Sequence, residues 1–327
     1  MRYQTVLLCC CMACLPALLV AQRTEGLTYK ADNWFTTPSA WEAARKKHPD
    51  ITIVPELKSP AIREKRGIAY HTYGKQVLTL DVFAPVGPGN GIAVIIVHGG
   101  GWRSGQPAQH HPLAQHLAAL GYTCFTPGYR LSTHALFPAA VYDIKAAIRH
   151  VRYEAARYRI DTGKIAVLGF SAGGTLAALM GTTGNMPLFE GTYDRAGTSS
   201  AVQAVVDIDG TLSFVHPQSR EGDDSKRISA ATHWFGYAKA ENPALWRAAS
   251  PLEYVDRFTP PTLFLNSAES PAAAGQAEYL ARLQQYGTLA EAHEFAEAPH
   301  AFCLFTPWFS RVVSLTDAFL QKVLGKR

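Results

Sequence analysis

The chain alternates between two hydrophobic rhythms from about residue 61 onward. Ile68–Tyr73 and Gln76–Phe83 read as paired strands around Gly74. Ile92–Val97 is an unbroken apolar run, the pattern of a strand buried on both faces. Leu113–Leu120 has helical periodicity and stops at Gly121, and Tyr122–Phe125 returns as a strand. The spacing predicts one long amphipathic helix over Ala139–Arg157, opened by Pro138. Strands are then predicted at Lys164–Phe170, Val202–Ile208, Thr262–Leu265 and Ala292–Phe295, with helices at Ala172–Met180, Ala273–Tyr286 and Val312–Leu324. Strands alternating with helices predict an α/β fold, a mostly parallel sheet covered on both faces. The rhythm breaks only at Gly210–Trp246, which reads as a lid or a substrate-binding insertion around Glu221-Gly222-Asp223-Asp224-Ser225-Lys226.

Upstream the pattern changes. Arg2 precedes an almost wholly apolar stretch, Val6–Val20, that ends at Ala21-Gln22. This reads as a secretory signal peptide, residues 1–21, cleaved after Ala21, and the run is short for a membrane anchor. Secretion or a periplasmic location follows, with no stable membrane insertion of the mature chain. Cys14 is poorly placed for lipidation after Cys11-Met12-Ala13. Residues 22–60 form an N-terminal extension expected to wrap the main domain, residues 61–327. Beyond the leader only Cys124 and Cys303 remain, and their apolar settings favour two buried free thiols over a bridge.

Composition narrows the function. Of 327 residues, 47% are hydrophobic and 17% charged, an ordinary globular balance. The net charge of +5 is spread without a basic run longer than Arg45-Lys46-Lys47, which disfavours a nucleic-acid partner.

The chemistry concentrates at the ends of predicted strands. Gly169-Phe170-Ser171-Ala172-Gly173 follows a buried strand and opens a helix, the setting in which a serine is thrust outward on a tight turn. His98-Gly99-Gly100-Gly101-Trp102 follows the Ile92–Val97 strand. Its glycines let backbone N–H groups approach a substrate, so Gly100 and Gly101, with Ala172, are candidate oxyanion donors, each worth about 3–4 kcal/mol in such a role. A phosphate cradle would require a different glycine spacing. A serine needs a base, and His300 lies just past the last predicted strand. The acid is expected in the loop after Thr262–Leu265, where Glu269 stands, with Asp209 at the end of Val202–Ile208 as the competitor. Trp102 and Phe170 are expected to narrow the acyl pocket. His110, His111 and His116 cluster on a helix start, but no cysteine or carboxylate accompanies them in sequence, so no metal site is expected.

The set His98-Gly-Gly-Gly-Trp102, Tyr129-Arg130-Leu131, Phe137-Pro-Ala-Ala140 with Asp143, Gly169-Phe-Ser-Ala-Gly-Gly174 and Pro299-His300-Ala-Phe302 resembles the α/β-hydrolase superfamily, in its hormone-sensitive-lipase-like and acetyl-esterase branches. The resemblance covers residues 63–325. It implies an eight-stranded sheet with an insertion after the sixth strand, a Ser171–His300–acid triad and no cofactor. Phe170 before the serine is similar to secreted acetyl- and feruloyl-esterase-like enzymes acting on plant polysaccharides. The expected function is therefore a secreted serine esterase removing acetyl or other short acyl groups from carbohydrate. A short-chain lipid or general carboxylesterase, a peptidase-like hydrolase, and a non-catalytic carbohydrate-binding protein are the alternatives.

Overall fold

Runs of aliphatic residues become the middle of an eight-stranded sheet, and the polar stretches between them become its connections. The computed structural model describes residues 22–30, 32–184, 186–192, 197–268, 270–271 and 274–325. The expected leader, residues 1–21, lies outside them. In chain order the first elements are α1 (Thr37–Ala44), β1 (Ile62–Tyr73), β2 (Gln76–Pro85), β3 (Ala93–Val97), α2 (His111–Ala119) and β4 (Thr123–Pro127). There follow α3 (Ala139–Tyr153), α4 (Ala155–Tyr158), β5 (Ile165–Phe170), α5 (Ala172–Thr182), β6 (Ala204–Ile208), α6 (Ala230–Phe235) and α7 (Pro243–Ala248). The last are β7 (Thr262–Ser267), α8 (Gln276–Gln285), β8 (Ala290–Phe295) and α9 (Phe309–Leu324).

The strand order is β1-β2-β4-β3-β5-β6-β7-β8. β1 and β2 pair antiparallel, as do β2 and β4, and every later neighbour is parallel. The central strands alternate between two cores. Ile95, Val97, Val167 and Val205 face α3 and α5, while Val94, Ile96, Leu168 and Val206 face α2 and α9. Burial on both sides is why these strands read as unbroken apolar runs. Because β3, β5, β6, β7 and β8 run parallel, the residues that follow them converge on one edge of the sheet, where ligands of open α/β sheets bind.

Several elements differ from expectation in their bounds. β1 begins at Ile62, six residues early, because an exposed edge strand needs backbone pairing with β2 but no apolar side chains at Arg63, Glu64, Lys65 or Arg66. The predicted helix Ala139–Arg157 breaks at Glu154, whose ψ of 13° leaves the helical range, and α4 follows as a separate turn. The segment read as a lid or a substrate-binding insertion is rooted in the domain: Trp234 and Phe235 of α6 and Trp246 of α7 are fully buried in the same core as α3 and α5.

The N-terminal segment laps over this framework. The Arg23 N–H donates to the Gly236 carbonyl (2.9 Å), Asp32 pairs with Arg103 (2.5 Å), and the Phe35 N–H donates to Ser104 Oγ (3.0 Å). Cys124 and Cys303 are buried and free. Asp143 joins α3 to the preceding loop, accepting from the Arg130 N–H and guanidinium, each at 2.7 Å. Among the described residues no helix is long and apolar enough to cross a membrane.

Candidate active site

Ser171 sits between β5 and α5 with φ 55° and ψ −120°, a conformation that side-chain-bearing residues rarely adopt. The glycines around it have no room for a side chain. A Cβ on Gly169 would lie 1.9 Å from the Gly173 carbonyl oxygen, and one on Gly173 would lie 2.2 Å from that of Val97. The strand and helix thus meet at backbone contact, and Ser171 is turned out at the apex, its N–H donating to the Ile208 carbonyl (2.7 Å).

His300 reaches this hydroxyl. Its Nε2 is 2.9 Å from Ser171 Oγ, and its Nδ1 is 2.9 Å from Asp209 Oδ2. The imidazole is 40% exposed while the Asp209 side chain is fully buried, so the ring bridges solvent and interior. Glu269, the acid expected from the loop after β7, lies outside the described residues; Asp209, the alternative acid, occupies the Nδ1 side. The reason is visible in the backbone. Asp209 follows β6 with φ 53°, its N–H donates to the Leu265 carbonyl (3.1 Å), and its Oδ1 accepts from the Ser267 N–H (2.8 Å). The end of β7 therefore supplies a donor to this carboxylate.

Behind Asp209 lies a second buried acid that sequence reasoning missed. Asp207 Oδ1 accepts from the Gly210 N–H (2.7 Å), closing the turn that carries Asp209. Asp207 Oδ2 has no hydrogen-bond partner among the described residues, and burial, reinforced by the charge of Asp209, pushes the Asp207 carboxyl up to about 7. Its signal was an acidic residue facing inward on an otherwise apolar strand.

The glycine loop after β3 is pinned from several sides. Burial lowers His98 to about 4, which keeps it neutral at pH 7. Its ring stacks on Tyr129 at 4.3 Å, its Nδ1 lies 2.9 Å from the Gly99 carbonyl, and the Tyr129 hydroxyl donates to the His98 carbonyl (3.0 Å). Gln109 accepts from the Gly99 N–H (2.8 Å). Gly100, with φ 121°, accepts from the Arg103 and Ser104 N–H groups, and the N–H groups of Gly100 and Gly101 have no partner among the described residues.

The two rings expected to narrow the acyl pocket are buried. Phe170 is fully covered and packs 5.0 Å from the His300 ring centroid, and Trp102, 3% exposed, stacks on Trp234 at 4.4 Å. They support the site from within the core and present almost no surface to a ligand. What does open beside His300 is a cavity of about 540 Å³, lined by Phe35, Ala40, Ala44, Lys47, Pro299 and His300.

The histidine cluster resolves differently from its sequence reading. Two carboxylates do join it: His111 Nε2 lies 2.8 Å from Asp81 and its Nδ1 3.3 Å from Glu56. Burial pushes His110 down to about 3, and His116 packs against the Phe309 ring at 5.0 Å. Among the described residues no group of three or more His, Cys, Asp or Glu side chains could hold a metal ion.

Known proteins share this arrangement of chain. The sequence profile of the BD-FAE family matches residues 80–280. Esterase LipQ of Mycobacterium tuberculosis is 30% identical over 306 residues, which span 90% of this chain and 71% of that protein. Among solved structures, Thermogutta terrifontis esterase 2 phosphoramylated by tabun superposes with a TM-score of 0.66 at 25% identity, covering 82% of this chain and 97% of that one. A truncated carbohydrate esterase from gut microbiota superposes with a TM-score of 0.67 at 23% identity, covering 81% and 99%.

Proposed function

Since the chain belongs to the BD-FAE family of the α/β-hydrolase superfamily and is a carboxylic-ester hydrolase, we propose that Ser171, His300 and Asp209 are its triad and that it removes short acyl groups from carbohydrate alcohols. The observation that carries the triad is the unbroken relay from Asp209 to His300 to Ser171, with 2.9 Å at each link.

Each side chain then has one task. Ser171 Oγ attacks the ester carbonyl carbon while its proton passes to His300 Nε2. The carbonyl oxygen becomes an oxyanion facing the Gly100, Gly101 and Ala172 N–H groups, the first two without another partner among the described residues and the last at the start of α5. Asp209 holds Nδ1 protonated and offsets the imidazolium charge. As the tetrahedral adduct collapses, His300 returns the proton to the alcohol oxygen and the acyl group stays on Ser171. Water, deprotonated by His300, attacks the acyl-serine; the acid leaves and Ser171 regains its proton.

Support for a carbohydrate alcohol comes from the insertion, whose Arg220, Asp223, Ser225 and Lys226 are exposed where a lipase lid would be apolar. The leader-like residues 1–21 fit an enzyme working outside the cytoplasm on such a polymer. A second reading, an apolar alcohol, is favoured by Phe35, Ala40 and Ala44 along the cavity beside His300. The test is acetate release from acetylated polysaccharides beside acetyl, butyryl and octanoyl nitrophenyl esters. Acetate from the polymers and a preference for acetyl over octanoyl are expected; octanoyl preference with no acetate from any polymer overturns the carbohydrate reading.

A further inference from the structure

The acidic run at the centre of the insertion separates into residues with different work. Asp223 Oδ1 accepts from the Ser225 N–H (3.0 Å), a local turn. Asp224 accepts from the Ser229 N–H (2.7 Å) and the Thr232 hydroxyl, fixing the start of α6. Glu221 does neither. Its Oε1 accepts from the Thr211 hydroxyl (3.0 Å), and Thr211 is buried two residues after Asp209, its own N–H held by Thr175 Oγ1 at 2.9 Å.

The other oxygen, Oε2, has no hydrogen-bond partner among the described residues and is not sealed from solvent. Glu221 is partly buried, and burial raises its pKa while the charges of His300 and Lys239 act the other way. None of the ion pairs among the described residues includes it. A carboxylate withdrawn from water without a cation at contact is destabilising unless something else uses it.

Position suggests the user. His300 returns its proton to the departing oxygen, so the alcohol half of the substrate lies on the imidazole side of Ser171. We infer that Glu221 is a specificity-determining residue whose free Oε2 accepts a hydrogen bond from a second hydroxyl on the departing alcohol, so that the enzyme selects esters of polyols and sugars. The inference rests on the triad and carbohydrate reading above and adds the residue that senses the sugar. A substrate hydroxyl donating to Oε2 satisfies an acceptor that otherwise has no partner among the described residues, and a substrate lacking that hydroxyl leaves it unpaired.

Two acetates of similar bulk separate the outcomes: methyl xyloside monoacetate, which carries neighbouring hydroxyls, and cyclohexyl acetate, which carries none. The readout is the ratio of their kcat/KM values, which cancels any uniform effect of the Glu221 charge on His300. In the wild type the ratio favours the sugar ester. Glu221→Ala should lower it about tenfold to a hundredfold, and Glu221→Gln, which preserves an oxygen for Thr211, should lower it less. An unchanged ratio in both variants overturns the inference while leaving the esterase reading intact, as does a wild type that cleaves cyclohexyl acetate alone. A selective loss of acetylcholine hydrolysis in place of the sugar ester also overturns it, assigning Glu221 to a cationic alcohol. If the wild type cleaves neither acetate nor any nitrophenyl ester, the triad reading fails and the inference with it.

Discussion

The C-terminal ends of β5 and β6 lie side by side and each carries a positive-φ residue, Ser171 at 55° and Asp209 at 53°, yet they are held by opposite means. At β5 the restraint is contact. Gly169 and Gly173 bring strand and helix so close that the turn between them has one shape, and all the atoms responsible lie within a few residues or on the adjoining β3. At β6 the restraint is polar and long-range. The Leu265 carbonyl and the Ser267 N–H bracket Asp209 from β7, 58 residues on in the latter case, and Asp207 closes the turn from below. Steric placement does not respond to pH, whereas placement by buried carboxyl groups does.

The largest effect expected is at the steric end. Ser171→Ala should remove several orders of magnitude of ester hydrolysis with the melting temperature nearly unchanged, since the turn depends on the glycines and not on the hydroxyl. His300→Ala should match it, and the double variant should be no worse than either single one. More than a few per cent residual activity on nitrophenyl acetate in Ser171→Ala would sink the nucleophile assignment.

At the polar end, Asp209→Asn should lower kcat about 10³- to 10⁴-fold with the fold retained, because Asn still accepts from Ser267 but no longer balances an imidazolium. Glu269→Gln should be close to wild type. Steady-state kinetics on both settle which carboxylate serves His300: a crippled Glu269→Gln beside an active Asp209→Asn reverses the assignment.

A smaller effect distinguishes the two ends by pH. The Asp207 carboxyl has an ordinary value of 3.8 and is pushed by burial to about 7, so between those values the native chain keeps a proton that the unfolded chain has released. The stability this contributes is complete below the unfolded value and drains away as pH rises through about 7. Asp207→Asn, neutral throughout and still able to accept from Gly210, should flatten that slope by on the order of 1 kcal/mol per pH unit. Urea unfolding from pH 4 to 8 checks it; parallel curves for variant and wild type would show that Asp207 does not titrate there.

This difference between the two ends also explains what the sequence made legible. The nucleophile turn could be read because its causes are local: small residues flank Ser171 for reasons that five consecutive letters contain. His300 could be read because only one histidine follows the last strand closely. The acid could be narrowed only to Glu269 or Asp209, because the group that favours Asp209 is the backbone N–H of Ser267, which every residue except proline possesses and no side-chain pattern reveals. Phe170 and Trp102 were assigned to the right neighbourhood but the wrong side of its wall, since adjacency in sequence to Ser171 and Gly101 does not say whether a ring points to ligand or core. The polar half of β1 escaped for a related reason: an edge strand is specified by its partner's hydrogen bonds.

Carrying the acid on β6 has a consequence for how the enzyme can be altered. The insertion starts one residue after Asp209, and Thr211 is anchored both to α5 and to Glu221. The loop that would be exchanged to retarget the enzyme is therefore spliced directly onto the proposed triad, with no neutral joint between them. Replacing residues 210–246 as a cassette should disturb turnover along with selectivity, whereas point changes beyond Thr211, Glu221 excepted, leave the splice whole. Retailoring this scaffold is a matter of editing the loop in place, and chimeras that transplant it need their crossover upstream of Asp207, so that acid, turn and loop travel as one inherited block.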